Sequence, residues 1–374
     1  MKKRIVGYDI AKTLAMFLVV MLHYSLYTRY YSGGIAGTLV TVMCVVCVPL
    51  FFAVNGALLL PRPLDEHRHY RKVLNIVIIV SIWKVLAVFF FIYVDGSQTV
   101  TIKDFCIFLL GGNLGGYPTG YFWFMNALIA VYLILPLAKM AFDSDRRIVL
   151  HALMAVLFGF TVGKDTVSLV LQGLGTLTHH DFASIMNSID EYYIFGSYGY
   201  VLLYFLVGGL VGRRLVHGSG IEEAAHGGVQ ISQGMAVCGI IVCYVVTVLI
   251  QRYQHAVKGV VLTVENGYWL LPTFVATLLL LLALGRVRMR GFGSEMFRAI
   301  GMNTFGIYML HMAGLILLCR AQDTSLFNGF GNLNSIALTV VNVLLCICVF
   351  AGCLFITVLL RKIPFIKKTF CTLI

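Results

Sequence analysis

The chain has 374 residues, 60% of them hydrophobic and 12% charged, with a mean hydropathy of +0.91. A soluble domain carries about 25% charged residues, so a water-soluble globular fold is excluded. The net charge of +12 needs no nucleic acid to explain it, because Lys and Arg of a membrane protein gather in cytoplasmic loops and against anionic headgroups.

In chain order, apolar runs long enough to cross a bilayer fall at 10–27, 35–60, 74–94, 120–138, 148–163, 198–212, 232–250, 268–284, 301–319 and 335–360. They predict an all-α integral membrane protein of about ten transmembrane helices, a single membrane-embedded domain over 1–374. Basic residues give the direction. With the N-terminus inside, twenty of the 28 Lys and Arg fall in inside segments and six outside, at Arg29, Lys103, Lys164, Arg252, Lys258 and Arg320. That bias predicts cytoplasmic N- and C-termini and a multi-pass protein of the cell (plasma or inner) membrane. The basic start before the first run reads as a retained first span, since HYSLYTRYY offers no small-residue cleavage site.

The two remaining basic residues, Lys12 and Lys84, lie within spans, where an ionisable group is a functional-site hypothesis by default. In the first span, YDIAKTLAMFLVVMLHY, ten residues separate Lys12 from His23. Eleven helical steps return to nearly the same face, roughly 16 Å along the axis, and Asp9 lies one turn before Lys12 on that stripe. His23, beyond the midplane towards the outer face, reads either as a general base for a hydroxyl or as a hydrogen-bonding group to a neighbouring helix. Lys12 reads as a functional cation or as one snorkelling to headgroups, and Asp9 as a partner or as an N-cap.

Lys84 in SIWKVLAVFF is too deep to snorkel and must face a cavity or pair with an anion such as Asp9. His311 in TFGIYMLHMAGL is a second intramembrane imidazole, either interhelical glue or a catalytic or substrate-orienting group. Tyr121, Trp123, Tyr268 and Trp269 fit an aromatic interface belt. Glu265 and Asn266 precede the eighth span as an exposed pair. The long outside connection 164–197 reads as a lid or acceptor-binding loop, and FCIFLL within 95–118 as a short interfacial helix. The ten cysteines sit mostly in spans. Cys44 and Cys47 share a C-x-x-C spacing without a partner pair, so neither a metal site nor a disulfide framework is expected.

Several stretches, taken in order, carry a resemblance. YDIAKTLAMFLVVMLH has a basic residue, ten residues and a His. FFAVNGALLL, HRHYRKVLNIVIIVSIW, FWFMNALIAVYLILP with Trp123, Tyr132 and Pro136, YGYVLLYFLVGGLVGR and TFGIYMLHM follow. Together they resemble the acyltransferase-3 family of integral membrane O-acyltransferases over nearly the whole chain. Lys12 stands where many members have Arg. Leu128 and Ile129 stand where members fused to an extracytoplasmic hydrolase-like domain have a Glu-Glu pair, and a standalone member is expected.

The resemblance implies transfer of an acyl group, most simply acetyl, from cytoplasmic acyl-CoA as co-substrate. The acceptor would be a hydroxyl of an envelope polysaccharide or lipid-linked sugar. His23 would act as base and Lys12 would hold the donor. Asp9, Arg68, Arg71, Lys84 and His311 would be substrate or donor contacts, the two arginines for the CoA phosphates, with no bound cofactor. A proton-coupled transporter or flippase of a lipid-linked or acylated envelope precursor is the competing expectation, because intramembrane Lys and His serve proton coupling as well.

Overall fold

The computed structural model describes residues 4–28, 34–94, 100–115, 118–217, 231–260, 263–324 and 327–363; Lys2, Lys3, Arg29, Lys367 and Lys368 of the basic-residue count lie outside them. The described residues form helices and no strand. The first seven are α1 (Val6–Tyr27), α2 (Ile35–Cys44), α3 (Cys47–Leu59), α4 (Glu66–Tyr93), α5 (Ile102–Leu109), α6 (Trp123–Leu133) and α7 (Leu135–Asp143). There follow α8 (Arg147–Phe158), α9 (Lys164–Thr178), α10 (Gly199–His217), α11 (Gln233–Lys258) and α12 (Leu271–Gly285). The chain continues through α13 (Phe292–Gly301), α14 (Thr304–Gln322) and α15 (Ser335–Leu360).

Among the described residues, seven helical runs are long and apolar enough to cross a membrane. They are α1, α2 with α3, α4, α8 with α9, α11, α14 and α15. An eighth is the pair α6 and α7, bent by 54°. The two further runs expected at 198–212 and 268–284 are helical as α10 and α12, the latter 15 residues long.

The expected loop 164–197 is largely helix. A π-helical turn at Gly159–Gly163 joins α8 to α9, and Val167, Val170, Leu174 and Leu177 continue one exposed apolar stripe at helical spacing. Lys164 and Asp165 interrupt the apolar run without ending the helix. Lys164 Nζ donates to both carboxylate oxygens of Asp190 at 2.6 and 2.5 Å, and Asn266 Nδ2 donates to Asp165 at 3.2 Å.

The chain divides into two compact units. One comprises Met1–Ala15, Thr38–Pro63 and Leu137–Glu295, and the other Met16–Gly37, Leu64–Pro136 and Met296–Ile374. In the first, α3 and α10 approach backbone to backbone. A Cβ on Gly56 would fall on the carbonyl of Phe205, and one on Gly208 on that of Ala53. Small residues of this kind let membrane helices pack at van der Waals contact, where water offers no hydrophobic drive.

In the second unit the last turn of α1 is tied to α14 and α15 through buried polar groups. Tyr24 donates its hydroxyl to Asn342 Oδ1 at 2.7 Å and accepts from Gln322 Nε2 at 2.8 Å, while Thr28 donates to Gln322 Oε1 at 2.9 Å. Lower on α1, Phe17 meets Phe350 edge to face, centroids 5.8 Å apart. In hydrocarbon an unmet polar group is costly, so this network holds α1 at one rotation.

The bend between α6 and α7 has a chemical cause. Pro136 has no N–H to donate to Tyr132 O four residues back. His69 Nε2 in the first turns of α4 donates to that carbonyl at 2.8 Å, and Tyr70 Oη donates to Leu133 O at 3.2 Å.

Candidate functional site

The candidate site lies in the second unit, where α1, α14 and the entry to α6 meet. The Tyr24 network sits one residue beyond His23 and turns that ring towards α14. The centroids of His23 and His311 are 5.1 Å apart with the planes at 49°. His311 is wholly buried, and its Nδ1 donates to the carbonyl of Tyr308 one turn earlier. A carbonyl can only accept, so this bond fixes the tautomer: Nδ1 carries the hydrogen and Nε2 keeps its lone pair. Among the described residues that Nε2 is buried without a hydrogen-bond partner, and so is Nδ1 of His23.

Aromatic rings enclose the pair. Tyr121, on the 3-10 turn Gly120–Phe122 that opens α6, stands edge-on to both histidines, at 5.3 Å from His311 and 6.5 Å from His23. Tyr308 lies 5.2 Å from His311 and donates its hydroxyl to the carbonyl of Tyr121. The backbone bonds thus run from Tyr121 through Tyr308 to His311. Tyr27 stacks on the outer side of His23 at 6.4 Å. Tyr121 is only 4% exposed, so it is a wall of this pocket and not a member of an interface belt. Two orphaned imidazole nitrogens beside aromatic rings can each accept the hydrogen of an O–H group, one from a reacting hydroxyl and the other from its neighbour.

The remaining residues singled out in the sequence go elsewhere. Asp9 is buried and both its oxygens accept from Arg4, from Nε and Nη2 at 2.7 Å each, so its hydrogen bonds go to Arg4, and Lys12 interacts with it through charge alone. Lys12 is 6% exposed on α1, and no hydrogen bond or ion pair holds its Nζ among the described residues. Arg68 and Arg71 are exposed on one face of the first turns of α4, which His69 and Tyr70 fasten to the α6–α7 bend.

Lys84 is 2% exposed and donates to Phe108 O at 2.8 Å, Asn126 Oδ1 at 3.3 Å and Leu109 O at 3.4 Å. In place of the cavity or the anion expected for it, Lys84 meets the carbonyl end of α5. Glu265 is paired with Lys258 at 2.7 Å, and Asn266 with Asp165 as described.

Tyr121, Tyr308 and His69 were not legible as site or support residues. One signal was available for the last of these: a proline inside a span frees a carbonyl that some donor must meet.

A family model described as an acyltransferase domain, Acyl_transf_3, matches residues 5–361. No curated protein and no solved structure matches the chain.

Proposed function

The chain belongs to the acyltransferase-3 family, and from that premise we propose that it moves an acyl group from cytoplasmic acyl-CoA to a hydroxyl of an envelope polysaccharide or lipid-linked sugar, with the His23–His311 pocket as the reaction centre. The acetyl group is the simplest donor consistent with the reading. The observation that carries it is the pair of unpartnered imidazole nitrogens, one with its tautomer fixed.

In the proposed reaction the acceptor hydroxyl enters between the two rings. An imidazole nitrogen takes its proton while the oxygen attacks the thioester carbonyl. The C–S bond then breaks and the CoA thiolate leaves, to be protonated from the imidazolium. General-base catalysis of this kind supplies about 10²–10⁴-fold, and positioning of donor against acceptor supplies much of the rest. His23 is the base, and His311 Nε2, which can only accept, takes a hydrogen bond from a neighbouring hydroxyl of the acceptor and so holds the sugar in line. Lys12, a buried cation near Asp9 whose Nζ makes no hydrogen bond among the described residues, suits an anionic or carbonyl oxygen of the donor. The exposed Arg68 and Arg71 suit its phosphates.

The test is the purified protein in liposomes, with acetyl-CoA inside and a hydroxyl-bearing glycan outside. Free CoA inside, matched by acetyl on the glycan, supports the enzyme. Movement of a lipid-linked precursor with the thioester intact would replace it with a transporter.

A further inference from the structure

Lys84 sits behind the reaction centre, and all three acceptors found for its ammonium belong to the protein. Phe108 O and Leu109 O are the last carbonyls of α5, the end of a helix where backbone oxygens lack intrahelical donors and the dipole is negative. The third acceptor is Asn126 Oδ1 on α6, and Asn126 Nδ2 in turn donates to Gly111 O at 2.9 Å, two residues past the end of α5. One cation therefore clamps α4, the end of α5 and the first turn of α6.

The same ammonium lies over the ring of Phe108 at 5.1 Å and that of Phe122 at 5.9 Å. Those two rings meet edge to face at 5.3 Å. Phe122 packs at 4.4 Å on Tyr121, the ring that borders both histidines and whose carbonyl holds Tyr308.

Resting on the acyltransferase reading above, we infer that Lys84 is a positioning residue for the reaction centre: it fixes α5 and Phe122, and through them the Tyr121 wall that sets the spacing of His23 and His311. It contacts neither donor nor acceptor. Its three N–H donors are spent on Phe108, Leu109 and Asn126, which leaves none for a ligand.

The test compares wild type, Lys84→Met and Phe122→Leu in membranes, with two readouts. The first is the rate at which diethyl pyrocarbonate labels His311, followed by peptide mass spectrometry, which needs no turnover. A loosened Tyr121 wall exposes a ring that is otherwise reached only through local opening, so labelling should rise about tenfold in both variants.

The second is steady-state transfer. Here kcat should fall about tenfold or more in both variants while KM for the acyl-CoA stays within about twofold, the pattern of a group that acts only on the reacting geometry. Phe122→Leu keeps the ammonium and its acceptors, so it tests the relay even where Lys84→Met fails to accumulate. Unchanged His311 labelling in both variants, or a raised KM with unchanged kcat in Lys84→Met, would overturn the inference. Absence of transfer by the wild type would overturn the acyltransferase reading alone, since labelling reports the clamp independently.

Discussion

His23 and His311 lie 5.1 Å apart between ring centroids, and each keeps one buried nitrogen without a partner among the described residues. Buried polar atoms in native proteins are nearly always met, so two such atoms in adjacent rings mark a place for a third group. The bond from His311 Nδ1 to Tyr308 distinguishes structural from chemical roles on a single ring.

That division can be separated by substitution. In His311→Asn the amide nitrogen replaces Nδ1 as donor to the Tyr308 carbonyl, while Nε2 is lost. Protein level in the membrane should stay near wild type and kcat should fall by about tenfold or more. An active His311→Asn would confine His311 to a structural role.

Tyr308 carries the next link. Tyr308→Phe removes the hydroxyl donor to the Tyr121 carbonyl, a loss of about 0.5–1.5 kcal/mol, to be read as lowered thermal stability in detergent. A larger fractional fall in transfer than in folded protein is expected, because the same bond holds the Tyr121 wall.

The bend between α6 and α7 allows a compensation experiment. His69→Ala removes the imidazole donor from the Tyr132 carbonyl and should destabilise by about 0.5–1.5 kcal/mol. In a Pro136→Ala background residue 136 regains an N–H, which can meet that carbonyl, so the effect of His69→Ala should shrink. Equal effects in both backgrounds would show that His69 is not the carbonyl's necessary donor.

The contact of α3 with α10 tolerates no side chain. Gly208→Val should force the helices apart at Ala53 and destabilise by about 3 kcal/mol or more, seen as loss of folded protein from the membrane. Gly352, where a Cβ meets open space, serves as the control, and Gly352→Ala should accumulate normally.

Much of this architecture was legible before the structure, for a physical reason: apolar runs of bilayer length have few alternatives in lipid, and an ionisable residue inside one stands out. His23, His311 and Lys84 were singled out that way. Their partners were not. Nothing in the spacing of Lys84 and Asn126 says that both converge on the end of α5, and the belt reading of Tyr121 overlooked that an aromatic at a span's start can turn inward.

The connection at 164–197 was misread because Lys164 and Asp165 look like a loop. Paired with Asp190 and Asn266, they are tolerated inside a helix. Asp9 beside Lys12 suggested an i,i+3 pair, and the bidentate guanidinium of Arg4 took that carboxylate instead, as its planar fork favours.

The most direct test of the central claim is CoA release, measured as free thiol, from acetyl-CoA-loaded liposomes holding wild type or His23→Ala at equal protein level, with acceptor glycan outside. Wild type should release CoA in step with glycan acetylation, and His23→Ala should be slower by about 10²-fold or more. Release by His23→Ala at the wild-type rate would contradict the role of the histidine pair as the reaction centre.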